Sequence, residues 1–491
     1  MTSVDSSGGD ATLNAVLGAI ARLELKVDAV AAAVADTSAQ LADLRAAVAA
    51  QAAAAAAPAA RAAAFARLSA SRGALGPLCA FAGGGLPATV LSACAGALLP
   101  LLSTAASLPL RATCREAAAA VAQHPWEDCE TVVRGSVGAW RACFPRARAA
   151  NVSQDYVHSP TVPRTTPLLD ADFVHLGGLR ALCMTGCTSV TDAAFAHLRG
   201  IHTLNMQSCS QAGITDAAFA HLRGIHTLNI GWCSQLTDAA FVHLRGIHTL
   251  DMRCCCQVGI TDAAFAHLAG IHTLWMNWCN QAGITDAAFA HLCGIHTLRM
   301  GSCSQASITD AAFAHLRGIH ALEMAYCNQA GITDAAFARL RGIHTLDMSS
   351  CRQEGITDAA FEHLRGIHTL NMRDCSQAGI TDAAFAHLRG IHTLGMSFCS
   401  QPGITDAAFA HLRGIHTLDM SCCSQAGITD AALAHLRGVR TLDMSWVQAG
   451  FTSAGLAHLR GIGALMLGPE QPEWQLAVDL GLPVRDARYS D

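Results

Sequence analysis

Hydrophobic residues in the second half of the chain recur with a period of about 24 residues, from about 179 to 461. The unit at 201–224 reads IHTLNMQSCSQAGITDAAFAHLRG, and its first residue is position one below. Leu and Met at positions four and six predict a short strand with both side chains on one side. Thr-Asp before AAFAHL predicts the start of a helix, and the glycine at position 24 predicts its end.

A period of this length, with one strand and one helix per unit, is typical of leucine-rich repeats. One unit cannot bury its own apolar side, so the twelve units must stack into a shared core. We therefore predict an α/β leucine-rich-repeat solenoid over 179–461, with parallel strands on the concave face and helices on the convex face. Residues 131–178 are expected to form a transitional N-terminal cap, and 462–491 a C-terminal cap and tail.

Position nine is cysteine in eleven consecutive units, from Cys187 to Cys423. Together with the following Ile-Thr-Asp, this resembles the cysteine-containing subclass of leucine-rich repeats, in which the thiol lies inside the turn after the strand. Successive thiols would lie in a line, one strand apart, and would not converge on a tetrahedral metal site. The same argument applies to the histidines, of which twenty-two out of twenty-four recur with the unit. We predict no metal and no cofactor.

The unit changes mainly at positions five, seven and eight, while its helical part is nearly invariant. Drift at exposed positions would explain the change, but it would also alter the helix surface and would not favour large aromatics. Alternation with the buried Leu and Met predicts that positions five and seven face away from the core, with position eight at the edge. Exposed Trp, Tyr and Arg are the side chains that anchor protein interfaces. The predicted concave protein-binding face comprises Trp232, Asp251, Arg253, Trp275, Trp278, Arg299, Glu323, Tyr326, Asp347, Arg373, Asp374, Phe398 and Trp446.

Residues 1–57 contain two interleaved series of apolar residues spaced by seven, one starting at Leu13 and one at Val16. This pattern favours a coiled-coil helix and a homodimer through residues 13–51. A single amphipathic helix docked elsewhere on the chain is the alternative. An alanine-rich linker is expected at 58–77.

The segment 78–130 carries a pattern that begins with Leu86 and Pro87, continues with spaced leucines and closes with a Cys-Arg pair (Cys114, Arg115) and Pro125-Trp126. This pattern resembles an F-box. The acidic residue usual after Leu-Pro is missing, as is the Trp usual after Cys-Arg. The resemblance implies a substrate receptor of a cullin-type ubiquitin ligase. Contact with the ligase's adaptor subunit would be made by Leu86, Pro87, Leu91, Leu98 and Leu102. The alternative is a helical cap on the solenoid, and both roles are compatible.

Bulk composition narrows the function further. Net charge is −5 and no Lys/Arg stripe is evident along the chain, so a nucleic-acid partner is not expected. Residues 73–110 are apolar enough to touch a membrane, but their prolines oppose a span, so a membrane role is a minor alternative. Twenty-one cysteines without a visible secretory signal predict an intracellular, reducing compartment, cytoplasmic or nuclear. No catalytic motif is found, which predicts a non-enzymatic interaction protein.

Overall fold

Among the residues that the computed structural model describes, fifteen parallel strands, paired in chain order, form one sheet. The structure describes Leu99 and residues 103–111, 115–154, 166–447 and 450–489. The predicted coiled coil, the linker and the motif residues Leu86, Pro87, Leu91, Leu98 and Leu102 lie outside the described residues.

Each strand of the repeats covers positions three to five, and position four of every strand pairs in register with position four of the next. Position four is buried, and positions three and five project from the concave face. Strands β1–β15, in chain order, are Ala149–Asn151, Ala181–Cys183, Thr203–Asn205, Thr227–Asn229, Thr249–Asp251, Thr273–Trp275, Thr297–Arg299, Ala321–Glu323, Thr345–Asp347, Thr369–Asn371, Thr393–Gly395, Thr417–Asp419, Thr441–Asp443, Ala464–Leu467 and Val484–Asp486.

The convex side of each unit carries a single helical turn, shorter than the helix that the sequence suggests. The α-helical segments are Thr104–Arg111, Arg115–Gln123, Val137–Cys143, Asp192–Phe195, Asp238–Phe241, Asp262–Phe265, Asp286–Phe289, Asp310–Phe313, Asp334–Phe337, Asp358–Glu362, Asp382–Phe385, Asp406–Phe409, Asp430–His435, Ser453–Leu456 and Pro472–Asp479. The 3-10 segments are Asp170–His175, Ala196–Leu198, Asp216–His221, Ala290–Leu292, Ala457–Leu459 and Ala487–Tyr489.

Thr-Asp recurs in eleven of the twelve units because it joins one unit to the next. The carboxylate of Asp310 accepts two hydrogen bonds from Thr333 of the following unit, from its amide and its hydroxyl, each at 2.7 Å. The Thr333 hydroxyl in turn caps the helical turn by accepting from the amide of Ala335. Equivalent pairs run from Asp170–Thr191 to Asp430–Thr452. A capping residue and an inter-unit link are therefore the same side chain.

The position-nine cysteines form a second ladder. The thiol of Cys303 donates to the carbonyl oxygen of Met276 in the preceding unit at 3.1 Å, and the other units repeat this bond. Burial raises the pKa of Cys255 and of Cys351 to about 12. These thiols therefore stay protonated near neutral pH, where a protonated thiol is neither a nucleophile nor a metal ligand.

The N-terminal end of the solenoid is closed by residues preceding the repeats. Trp126 is buried in the same core as the repeats, and its indole N–H donates to the carbonyl of Val121 at 2.8 Å. Phe144 packs edge-on against it, with ring centroids 5.6 Å apart. The described part of 78–130 therefore acts as a cap, as the alternative interpretation expects. At the other end β14 and β15 extend the sheet, and the buried Ala477 and Leu482 close the core.

Candidate functional site: the concave face and its rim

Four of the predicted binding residues lie side by side on the concave face. Asp251, Trp275, Arg299 and Glu323 occupy position five of strands β5–β8 and are register partners in turn. Neighbouring parallel strands are about 4.8 Å apart. Residues that are 72 positions apart in the chain (323 − 251 = 72) therefore form one contiguous patch.

Trp275 lies at the centre of this patch between two guanidinium groups. The Cζ atom of Arg253 is 5.3 Å from its ring centroid, and that of Arg299 is 4.8 Å away. Such cation–π contacts contribute about 0.5–1 kcal/mol each where they are exposed. They also hold the indole ring in one orientation before any partner arrives.

Both arginines are held in place by carboxylates. Arg253 pairs with Asp251 at 2.8 Å, and the amide of Arg253 also donates to Asp251. Arg299 lies 3.3 Å from Glu323, which also accepts from Asn277 at 2.7 Å. Only 3% of Asp251 is exposed, so this predicted contact residue acts by positioning Arg253 and not by touching a partner directly.

The indole N–H of Trp275 is buried and has no acceptor within the described part of the chain. Leaving such a donor unpaired costs about 1–3 kcal/mol. This nitrogen has no surface that a partner could reach, so the unmade hydrogen bond is a cost to the fold and not a contact offered to a partner. The central patch therefore offers an apolar ring and two oriented cations within a few ångströms.

Position eight forms a rim beside the concave face, and the large side chains there are exposed. The exposed fractions are 51% for Trp232, 58% for Trp278, 59% for Tyr326, 46% for Phe398 and 48% for Trp446.

The backbone of these rim residues is unusual, since φ is positive at position eight in every unit from Ser208 to Trp446. The first unit has Gly186 there, with φ of 70°. Glycine adopts this conformation freely, whereas a bulky side chain in it costs about 1–2 kcal/mol.

We expect Trp278→Gly to raise the free energy of unfolding by about 0.5–1 kcal/mol, because relief of the left-handed backbone exceeds the greater chain entropy of glycine. Urea unfolding followed by circular dichroism measures this. Trp278→Ala is the matched control, since alanine keeps the β-carbon and should give no such gain. Equal stability of the two variants would contradict the strain argument.

The C-terminal half of the face is more acidic. Asp347 accepts from Asn371 at 3.1 Å, and Asp374 pairs with Arg352. Arg373 lies over the ring of Phe398, with its Cζ atom 4.8 Å from the centroid. The predicted residues therefore form two groups, one around Trp275 and one around Arg373 and Phe398.

Position five also has a local role that the sequence interpretation missed. All seven Asn and Asp residues at this position accept the amide N–H of position seven, as Asn205 does from Gln207 and Asp419 from Ser421. This side-chain turn ends the strand. The recurrence of Asn or Asp in seven of the twelve units, at an otherwise variable position, was the signal for it. The charge at position five is thus partly a structural requirement.

Position seven lies on the same side of the sheet as position five. The hydroxyls of Ser421 and Ser445 donate to the carboxylates of Asp419 and Asp443 at position five. Small residues occupy position seven in most units, and neighbouring side chains cover them, so that Ser445 is fully buried. A partner could therefore touch position seven mainly at its larger side chains, which include Arg253, Asn277 and Arg373.

Position two carries a continuous column of ten stacked imidazoles, from His202 to His416. Adjacent ring centroids are 4.3–4.6 Å apart. Partial desolvation in the stack, followed by the neighbouring imidazoles, lowers the pKa of His226, His272, His344 and His392 below 6.5. Among the described residues no group of three or more metal-ligating side chains converges, in this column or elsewhere.

The column predicts a pH-dependent stability. Because these pKa values are lower in the folded chain, the unfolded chain binds more protons as the pH falls below about 6.5. Stability is complete above that pH and decreases on acidification. We expect the melting temperature to fall between about pH 7.5 and about pH 5.5. Replacing His226, His272, His344 and His392 together by Gln should flatten the profile; an unchanged slope would contradict the assignment.

No helix among the described residues is long and apolar enough to cross a membrane.

The residues predicted to contact a ligase adaptor are outside the described residues, as is Cys114. Arg115 begins the helix Arg115–Gln123, and Pro125 leads into the buried Trp126. That part of the F-box resemblance therefore coincides with the cap.

Comparison with known proteins gives the fold. No protein-family model matches the chain, and no curated protein matches it. Among solved structures, a chain of the Toll–Spatzle complex of Drosophila is 14% identical over 71% of this chain and 47% of its own, with a TM-score of 0.54. A chain of the mouse RP105/MD-1 complex is 12% identical over 69% of this chain and 59% of its own, with a TM-score of 0.52. This chain thus spans about half the length of the first of them. The protein has the leucine-rich-repeat fold predicted from its period.

Proposed function

We propose that this protein is a non-enzymatic interaction scaffold that binds a protein target on the concave face of its repeats. The observation that carries the proposal is the Trp275 patch, in which the sheet aligns an aromatic ring and two guanidiniums that carboxylates hold in place. Interface hot spots are enriched in Trp, Tyr and Arg at positions that a partner can desolvate.

The rim supports the same function. Five large aromatics remain in the left-handed conformation, where glycine would be more stable. Strain that is retained at exposed positions is a feature of functional surfaces. Charges of both signs lie along the face, as in protein–protein contacts.

Site-specific photo-crosslinking tests the proposal. A benzoylphenylalanine at Tyr326 should capture a discrete protein from cells, and the same probe at Val258 should not. Val258 is 90% exposed but lies in the loop before a helical turn, away from the rim. Equal capture at both positions would count against a concave-face target.

The more specific form of the proposal is a substrate receptor for ubiquitin ligation. It is supported by the F-box resemblance placed directly before cysteine-containing repeats. In this form the target is held on the concave face while the segment at 86–102 holds the ligase's adaptor subunit. Co-purification with a cullin–adaptor pair tests it. The triple variant Leu86→Ala/Pro87→Ala/Leu91→Ala should no longer co-purify with the cullin and its adaptor but should still crosslink to the target. That result would support the receptor role. If no cullin co-purifies, the scaffold function alone stands.

A further inference from the structure

Arginine occupies position 23 of most units, in the turn that joins each helical turn to the next strand. In the sequence these arginines are spread one per unit. In the structure Arg365 donates to Nδ1 of His387 in the next unit at 3.2 Å. Arg389, two residues after His387, donates in the same way to His411 at 3.3 Å. The contacts repeat from unit to unit, so the arginines form one row, which we call the arginine edge.

The sequence-based expectation that no arginine stripe exists is therefore wrong. Stacking of the repeats makes neighbours of residues that are 24 positions apart in the chain. The average composition along the chain does not show that such residues form a row. The longest uninterrupted part of the arginine edge contains Arg317, Arg341, Arg365, Arg389, Arg413, Arg437 and Arg460, all exposed. No described carboxylate lies within salt-bridge distance of any of these seven.

Acidic groups are concentrated at the other end of each helical turn. The aspartate of the Thr-Asp pair lies there, with both carboxylate oxygens engaged by the next unit, as Asp358 is by Thr381. Between the end of the helical turns and the start of the strands, the segments from 196–203 to 457–464 contain only one carboxylate, that of Glu362. A net charge of −5 thus hides a strong separation of charge across the width of the solenoid.

The arginines of the edge are also pre-oriented. Each of the five pairs from Arg341–His363 to Arg437–His458 uses Nδ1 of the imidazole as the acceptor. The acceptor is an imidazole nitrogen and not a carboxylate, so the arginine is positioned without losing its charge to an ion pair. The remaining guanidinium N–H groups have no protein acceptor among the described residues. A guanidinium with free N–H groups suits the oxygens of a phosphate.

We propose that the arginine edge binds the phosphodiester backbone of a nucleic-acid strand, without selecting its base sequence. A row of charge one residue wide matches a linear polyanion better than the plane of a membrane. The edge offers no Trp, Tyr or exposed Phe on which bases could stack, so the contacts are to phosphates. The eighteen cysteines among the described residues are all free thiols, which suits a reducing compartment, where the abundant linear polyanion is nucleic acid.

This surface is separate from the protein-binding face. The arginine edge lies where the strands begin, and the Trp275 patch and the aromatic rim lie where they end. One solenoid could then hold a protein and a nucleic-acid strand at once. The inference does not depend on the identity of the protein target.

Fluorescence anisotropy with a labelled single-stranded RNA of mixed sequence tests the proposal on the full chain. Affinity should fall steeply between about 50 mM and about 200 mM salt. The variant Arg365→Ser/Arg389→Ser/Arg413→Ser should bind about tenfold or more weakly at the lower salt, with a log–log salt slope smaller by about 2. A second RNA of unrelated sequence should behave in the same way.

The matched control is Arg134→Ser/Arg146→Ser/Arg485→Ser, which removes the same charge from exposed positions off the edge. This variant should keep both the affinity and the slope. Circular dichroism and melting confirm that both triple variants are folded. The proposal is overturned if the wild-type chain does not bind RNA at the lower salt, or if the two variants lose the same affinity. Binding to heparin or to phosphatidylserine vesicles with none to RNA would also overturn it.

Discussion

Phe313→Ala is expected to lower the free energy of unfolding by about 3–5 kcal/mol, the largest stability loss that we predict for a single substitution. Phe313 is fully buried in the centre of the array, and Phe289 and Phe337 are equally buried in the units on either side. Truncation leaves a cavity between stacked units that cannot collapse, because the strands on one side and the inter-unit hydrogen bonds on the other fix their spacing.

Phe398→Ala is the matched control, because it removes the same atoms from a side chain that is 46% exposed. It should change stability by less than about 0.5 kcal/mol. Urea denaturation of the two variants, followed by circular dichroism, gives the comparison. In a repeat array, stability is a sum of units and nearest-neighbour interfaces, so Phe313→Ala should also broaden the transition by weakening the link between the two halves. Equal midpoints for the two variants would show that the core is not shared as described.

The period was sufficient to predict the fold. Leu at position four, Thr at the helix start and Gly at position 24 each have one local reason to be there, and all of them agree with stacking. Position one of each unit is buried, as Ile319 is, and position nine is buried, as Cys327 is. The local preferences of these residues therefore agree with the global fold, which is why a single sequence is enough to predict that fold.

Features that arise from stacking were less predictable. The hydrogen bonds from Thr333 to Asp310 of the neighbouring unit involve residues 23 positions apart. The arginine edge and the imidazole column have the same origin. In each case one residue per unit looks isolated in the chain, and only the register between units makes it a row. A sequence interpretation that places each variable and invariant position on the stacked solenoid, before judging charge, would have found both.

The candidate face was predictable in part. Alternation correctly placed Trp275 and Arg299 on the concave side, because strand geometry controls position five. It did not anticipate that neighbouring side chains cover the small residues at position seven, or that the backbone at position eight is left-handed. That conformation depends on the turn around the buried cysteine, since the amide of Cys279 donates back to the carbonyl of Met276 at 3.2 Å.

The double variant Trp275→Ala/Trp278→Ala is expected to weaken binding of the protein target by about a hundredfold or more. Hot-spot tryptophans contribute at least about 2 kcal/mol each on truncation, although such values are not additive. Removing Trp275 also removes the cation–π contacts that orient Arg253 and Arg299, so the effect includes a loss of preorganisation. Once the target has been identified by crosslinking, isothermal titration calorimetry with the purified pair gives the affinity.

Trp446→Ala is the informative control, because it removes the same side chain from the same left-handed rim position at the far end of the array. It should weaken binding less than the double variant if the Trp275 patch is the centre of the interface. None of Trp275, Trp278 and Trp446 belongs to the buried core. Melting curves should therefore show that the double variant and Trp446→Ala are both folded. Intact folding with lost affinity assigns the effect to recognition, whereas unchanged affinity of a folded double variant would place the interface elsewhere on the molecule.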